Sequence, residues 1–282
     1  MSSEQQYPAA NVLNVRVDAI DMERALQRVE EMLQRQNKAY ICVAGVHGIM
    51  EAQKCAALAD VYANADMTIP DGMPLVWVGH AQGQTTMQRV TGPDFMLELF
   101  RRQSFAATTH YLYGGEPGVA DRLREVLGRR FPQARILGVR TPPFRDLNPA
   151  EQREFLEEIR RLRPDVIWVG ISCPKQEIFM RRYLPLLETK IMVGVGAAFD
   201  YHTGRIRDSS DWVKRAGLQW LHRFIQDPKR LWKRYLLNNP PFVFRILCQL
   251  LLERLSGTPA PRIATPRAES EAALRAHQSR AL

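Results

Sequence analysis

DVIWVGISCPKQEIFMRRYLPLLETKIMVGVGAAF, residues 165–199, sets two short apolar runs on either side of an amphipathic one. The runs at 165–172 and 190–199 are rich in Val and Ile and read as buried strands; 174–184 spaces apolar and charged side chains as a helix does. Two strands joined through a helix run parallel. The alternation continues outward. Strands are expected at 12–17, 40–46, 65–69, 110–115 and 134–139. Helices are expected at 22–36 (Asp21 as N-cap), 48–58, 93–103, 117–130 and 149–163 (Asn148 as cap). Apolar strands alternating with amphipathic helices predict an α/β fold, a Rossmann-like parallel sheet with helices on both faces.

The chain has 282 residues, 45% hydrophobic and 24% charged, which excludes wholesale disorder, collagen and a disulfide scaffold. Cys42, Cys55, Cys173 and Cys248 are far apart, with no CxxC pair, so reduced thiols are expected rather than a zinc module. The start, MSSEQQYPAANVLNV, lacks a signal-like run, and no 18 consecutive residues are apolar. A cytoplasmic protein is expected.

The net charge of +9 is unevenly placed. Residues 1–211 hold 26 basic and 26 acidic side chains, whereas 212–255 hold nine basic against two acidic, interleaved with Trp, Phe and Leu. That mixture suits an anionic lipid surface, and the competing partner for a basic patch is nucleic acid. No nucleic-acid motif is present, so none is expected. The resulting division is a flexible N-terminus at 1–10, an α/β catalytic domain at 11–211, a basic, aromatic helical membrane-associating appendage at 212–255, and a disordered tail at 256–282. Trp212, Phe224, Trp232 and Phe242 leave a membrane contact and a homo-oligomer both open.

Four strand ends carry candidate chemistry. Tyr113-Gly114-Gly115-Glu116-Pro117-Gly118 suits either a phosphate held on backbone N–H groups at a helix start or a plain tight turn. Ser172-Cys173-Pro174-Lys175-Gln176-Glu177 places Lys175 and Gln176 where open α/β sheets collect ligands; capping by Ser172 is the alternative. Pro70-Asp71-Gly72 is a turn signal, or a carboxylate held rigidly as a general base. In Gly194-Val195-Gly196-Ala197-Ala198-Phe199-Asp200, the small residues around Gly196 permit close approach, and Asp200 can bond a base or ribose. His47, His80, His110, His202 and His222 have no metal-ligand spacing, and no metal or other cofactor is expected.

In this order the stretches TIPDGMPLVW (68–77), RVTGPDFM (89–96), YGGEPGVA (113–120), PDVIWVGISCPKQE (164–177), GVGAAFDYHTG (194–204) and GLQWLHRFIQDPKRLWKRY (217–235) resemble the WecG/TagA/CpsF family of bacterial glycosyltransferases. The resemblance covers about 12–245. It implies metal-independent, inverting transfer of a hexose, such as N-acetylmannosamine, from a UDP-sugar to a polyprenyl-diphosphate-linked saccharide in cell-surface or exopolysaccharide synthesis. The enzyme would work at the inner face of the plasma membrane as a peripheral protein. By motif, Asp71 would be the general base, Arg89 would steady the diphosphate leaving group, and Gln176 would help hold donor or acceptor. Gly114, Gly115, Glu116, Lys175, Gly196 and Asp200 would surround the nucleotide. Arg215, Arg223, Arg230 and Arg234 of the basic segment would meet the membrane and the lipid diphosphate.

One departure stands out. Many members carry Thr, often followed by Asn, where this chain has Ala44, Gly45 and Val46. Acceptor or donor specificity is therefore expected to differ. A non-catalytic UDP-sugar or lipid-binding module of the same fold is the alternative reading.

Overall fold

The computed structural model describes residues 7–256, without the side chains of Asp211, Arg215, Arg230 and Arg234. It opens with an antiparallel hairpin, Ala9–Val12 (β1) and Val15–Asp18 (β2). The single strand expected at 12–17 is thus divided. Leu13 and Asn14 both have positive φ, 50° and 63°, the two-residue turn whose twist matches its flanking strands. Ala9 and Ala10 belong to β1, so the flexible N-terminus expected over 1–10 does not take them in; residues 1–6 lie outside the described residues.

Helix α1 (Met22–Gln34) follows, with the Asp21 side chain accepting from the Arg24 N–H as expected. Six strands then form one wholly parallel sheet: Ala39–Ala44 (β3), Met67–Pro70 (β4), Thr109–Gly114 (β5), Arg135–Arg140 (β6), Val166–Gly170 (β7) and Ile191–Gly194 (β8), in the order β4-β3-β8-β7-β5-β6. Side chains alternate between two cores. Tyr111, Tyr113, Ile167, Val169 and Met192 face one; Leu112, Val166, Trp168, Ile191 and Val193 face the other. Both faces are covered, as the period-two pattern in an all-apolar strand requires.

The helix expected at 48–58 is two, Val46–Ala52 (α2) and Ala56–Ala63 (α3), and Met73–Ala81 (α4) was not anticipated. The signal for α4 was weak because MPLVWVGHA has no polar face to set a helical period. Gly92–Arg101 (α5), Val119–Arg130 (α6), Pro149–Leu162 (α7) and Lys175–Tyr183 (α8) match the sequence reading, α7 with a capping box between Asn148 and Glu151. Ser172 is not a cap: it has φ 70°, two residues before the Pro174 that precedes α8. The strand expected to reach 199 stops at Gly194 and passes into Ala198–His202 (α9).

The C-terminal segment is Asp211–Arg215 (α10), Gln219–Gln226 (α11) and one helix of 29 residues, Pro228–Ser256 (α12). It is docked on the body, not held apart from it. Leu231, Asn238, Phe242 and Ile246 of α12 are buried. Gln249 accepts from the Leu13 N–H (2.9 Å) and donates to the Asn11 carbonyl (2.8 Å) of the hairpin. The tail expected at 256–282 lies outside the described residues except for Ser256.

At the end of β5, Gly114 has φ 144°, and a Cβ there would stand 2.5 Å from the Gly170 carbonyl oxygen of β7. The two strand ends close only without a side chain. Gly114→Ala combines backbone strain with overpacking, so its melting temperature should fall by roughly 5–15 °C in calorimetry. A shift below ~2 °C would show that these strand ends separate easily.

Candidate functional site

A cavity of about 790 Å³ opens where the carboxyl ends of β4, β3, β8 and β7 meet the C-terminal helices. Open parallel sheets bind ligands on this side, beyond the strand ends. Its lining includes Gly45, Asp71, Arg89, Gln176, Gly196, Asp200 and Arg223. Residues up to 178 positions apart in sequence are gathered because each follows the last residue of a neighbouring strand or packs over one.

Asp71 directly follows β4. Its N–H donates to the Ala44 carbonyl at the end of β3 (2.9 Å), and the Gly92 N–H at the start of α5 donates to its carboxylate. Burial pushes this carboxyl above its ordinary range. Arg89, Arg223 and the Gly92 N–H pull it back only partly. A carboxylate raised in this way is a better proton acceptor near neutral pH than an exposed aspartate.

Arg89 lies on the segment beside β4, where the Val90 N–H donates to the Pro70 carbonyl. Its guanidinium donates to the Lys214 carbonyl (3.1 Å) and to Gln219 Oε1 (2.9 Å), tying α10 and α11 to the cleft. The contact is close-packed: Gly217, between those helices, has φ 71°, and a Cβ on it would meet Trp77 of α4 at 3.0 Å. Arg223 lies 5.6 Å from the Tyr201 ring centroid. The Tyr201 hydroxyl is pushed up to about 12, first by burial and then by Asp71 among other anionic neighbours, with Arg223 opposing. It stays protonated and can donate a hydrogen bond in the cleft. The sequence reading missed Tyr201 and Trp77; nothing in local spacing sets either apart from core aromatics.

Gln176 is 2% exposed, and both ends of its amide are engaged. Its oxygen accepts from the Gly196 N–H (2.9 Å) and its nitrogen donates to Glu177 Oε1 (2.9 Å). It therefore shapes the cleft through the Gly196 loop. Glu177 belongs to a group with the buried Cys42 and Tyr62 and the half-buried Cys173, in which burial pushes the Cys42 thiol and the Tyr62 phenol far up.

The expected nucleotide-side residues divide. Gly196 and Asp200 line the cavity, whereas Gly114, Gly115, Glu116 and Lys175 do not. Gly115 is one step away, its N–H donating to the Gly170 carbonyl (3.0 Å). Arg205 links Glu116 to Asp200, 3.1 Å from the latter. Lys175 points elsewhere, donating to the Phe144 carbonyl at 3.3 Å. The backbones of Arg215, Arg230 and Arg234 belong to α10 and α12, and their side chains lie outside the described residues. His110 is a neutral core group: it accepts from the Trp168 ring N–H (3.2 Å), and burial lowers it to about 3. Among the described residues, no three of His, Cys, Asp and Glu stand together as metal ligands.

A parallel sheet with a raised carboxylate, two guanidiniums and a glycine-lined loop at its strand ends is the frame of an α/β enzyme. The comparisons with known proteins identify which. The Glycosyl transferase WecG/TagA/CpsF family matches residues 10–256, and the chain belongs to that family. It is 28% identical over 246 residues to an N-acetylglucosaminyldiphosphoundecaprenol N-acetyl-beta-D-mannosaminyltransferase of Bacillus spizizenii, covering 86% of this chain and 92% of that protein. It is 26% identical over 188 residues to a Bacillus subtilis protein of the same name, covering 67% of this chain and 71% of that one. The protein is a glycosyltransferase.

Proposed function

We propose that the protein moves a hexose, of the N-acetylmannosamine kind or another, from a UDP-sugar to a saccharide carried on a polyprenyl diphosphate, with inversion and without a metal. The observation that carries this reading is the Asp71 carboxylate, raised by burial and sharing with Arg89 and Arg223, whose charges act on it, a cleft lined by Gly196 and Asp200. Inversion in one step needs a base on the incoming hydroxyl, opposite the departing diphosphate. Asp71 takes the proton as the hydroxyl oxygen attacks the anomeric carbon. The bond to the diphosphate oxygen breaks, and its electrons leave with UDP. The charge gained by UDP falls near Arg89 and backbone N–H groups, which supply what a metal would otherwise provide.

The acceptor named for the relatives is lipid-linked, and the C-terminal helices fit work at a membrane surface. No helix among the described residues is long and apolar enough to cross a membrane. Along α12, Leu237, Phe244, Leu252 and Leu255 are exposed beside Lys229, Lys233, Arg245 and Arg254. Apolar residues that enter the headgroup region and cations that meet anionic lipid on one helix favour peripheral binding at the inner leaflet.

The test is UDP release by purified protein, with a panel of UDP-sugars and a short-chain prenyl-diphosphate-linked N-acetylglucosamine, with and without EDTA. Release that needs the acceptor and survives EDTA is expected, and it names the donor. Loss of all release in EDTA would overturn the metal-independent mechanism. Binding of UDP-sugar and acceptor without turnover would favour the non-catalytic module. Gly45 bears on specificity in the same assay: a Cβ there would meet nothing within 4 Å, so the missing side chain at this position leaves open space in the cleft, whereas Ala44 is fully buried and does not line it.

A further inference from the structure

The cavity does not end at the catalytic residues. It continues between α4 and α12, where Pro74, Trp77 and Val78 face Val243, Leu247 and Leu250. Of the α12 residues that line it, Tyr235, Asn239, Val243, Leu247 and Leu250, spaced by four, four, four and three, form one helix face, beside the buried Leu231, Phe242 and Ile246. That face is polar near the catalytic end and apolar beyond it. The opposite wall agrees: α4 carries no Asp, Glu, Lys or Arg, yet its Trp77 is 52% exposed. Apart from the exposed His80 the helix presents no polar side chain, so a half-exposed tryptophan on it marks apolar surface left to be covered.

We propose that this extension holds the first isoprene units of the acceptor's polyprenyl chain. The assignment rests on the transferase reading above. From Asn239 to Leu250 the helix rises ~16 Å, enough for several isoprene units. The ligand it fits has a sugar–diphosphate head and an unbranching apolar tail. The head lies by Arg223, Tyr235 and Asn239, and the tail runs along Val243, Leu247 and Leu250. Continuity with the catalytic cleft selects this occupant over a free lipid or a second protein, which would have no cause to share a cavity with Asp71.

Two soluble acceptors separate the possibilities, N-acetylglucosamine diphosphate carrying a methyl group and the same carrying farnesyl, without vesicles or detergent micelles. The wild-type protein should prefer the farnesyl acceptor by about tenfold or more in kcat/KM, the factor that burying two methylene groups gives. In Leu247→Trp, whose side chain is 62% exposed in the free protein and so tolerates change, that preference ratio should fall toward one. A ratio near one in the wild type, or an unchanged ratio in both Leu247→Trp and Val243→Trp, would overturn the assignment while leaving the transferase reading intact. Turnover of neither acceptor would overturn both. A change in sedimentation of Leu247→Trp without lipid would show that a second copy covers the groove instead.

Discussion

Asp71→Asn should lower kcat for sugar transfer by about 10²–10⁴-fold, with UDP affinity nearly unchanged. The substitution keeps the shape of the side chain and its place beside the Gly92 N–H, but it removes the lone pair that takes the proton. The pH profile gives an independent reading. Because burial holds the Asp71 carboxyl above its ordinary range, the acid limb of the wild-type rate should lie at higher pH than a free aspartate would give, and the residual rate of Asp71→Asn should lack that limb. Stability should move the other way. A folded-state pKa above the unfolded value means that, between the two, the folded chain keeps a proton the unfolded chain has lost. Asp71 therefore costs stability as pH rises through that window, and the cost stays in place above it. Asp71→Asn should then melt at or above the wild-type temperature at neutral pH. Equal activity in the variant, measured by acceptor-dependent UDP release, would remove Asp71 from the proton transfer.

The sheet was legible because all its strands but the edge strand β6 are largely buried, with cores on both faces. Runs such as VIWVG at 166–170 and IMVG at 191–194 have no polar residue to blur them, and helices α1 and α7 announce themselves by Asp21 and Asn148. Where local chemistry was ambiguous, the reading failed. The β1–β2 turn turns on Leu13, an unusual residue for positive φ, and α4 hides in an all-apolar stretch. The site was legible in part for a related reason. Asp71, Gln176, Gly196 and Asp200 sit at strand ends, where ligands collect in such sheets, and the family's motifs marked the same positions. Their mutual arrangement was not readable. That Gln176 spends its amide on Gly196 and Glu177, or that Lys175 turns to Phe144, depends on partners 20 and 31 residues away. Tyr201 and the α4–α12 groove depend on how the C-terminal helices dock, and charge counting alone had cast those helices as an appendage.

Docking of those helices makes Arg89 the second residue of large effect. Its guanidinium spans two acceptors on different elements, the Lys214 carbonyl and Gln219 Oε1, while lying close enough to Asp71 to lower its pKa. A lysine keeps the charge but gathers its donors on one nitrogen, without the guanidinium's fork that reaches the two acceptors from separate atoms. Arg89→Lys should therefore cost about 10²–10³-fold in kcat, the range for losing one donor to a developing anion. Two roles would give that loss: charge stabilisation on the departing diphosphate, or closure of α10 and α11 over the cleft. Gln219→Leu separates them, because it breaks the α11 half of the tether and leaves the guanidinium with its bond to the Lys214 carbonyl. If Arg89 acts on the leaving group, Gln219→Leu should lose less than about tenfold in kcat while Arg89→Lys keeps its full deficit. If Gln219→Leu is as impaired as Arg89→Lys, the arginine works by holding the helices, and the charge on UDP is met by Arg223 and the backbone. Arg89 also lowers the Asp71 pKa, so replacing it by a neutral residue should move the acid limb of the rate to still higher pH. Arg89→Met, with its pH profile set beside that of the wild type, measures this coupling directly, and an unshifted limb would show that Asp71 is governed by burial and its other neighbours, Arg223 and the Gly92 N–H among them.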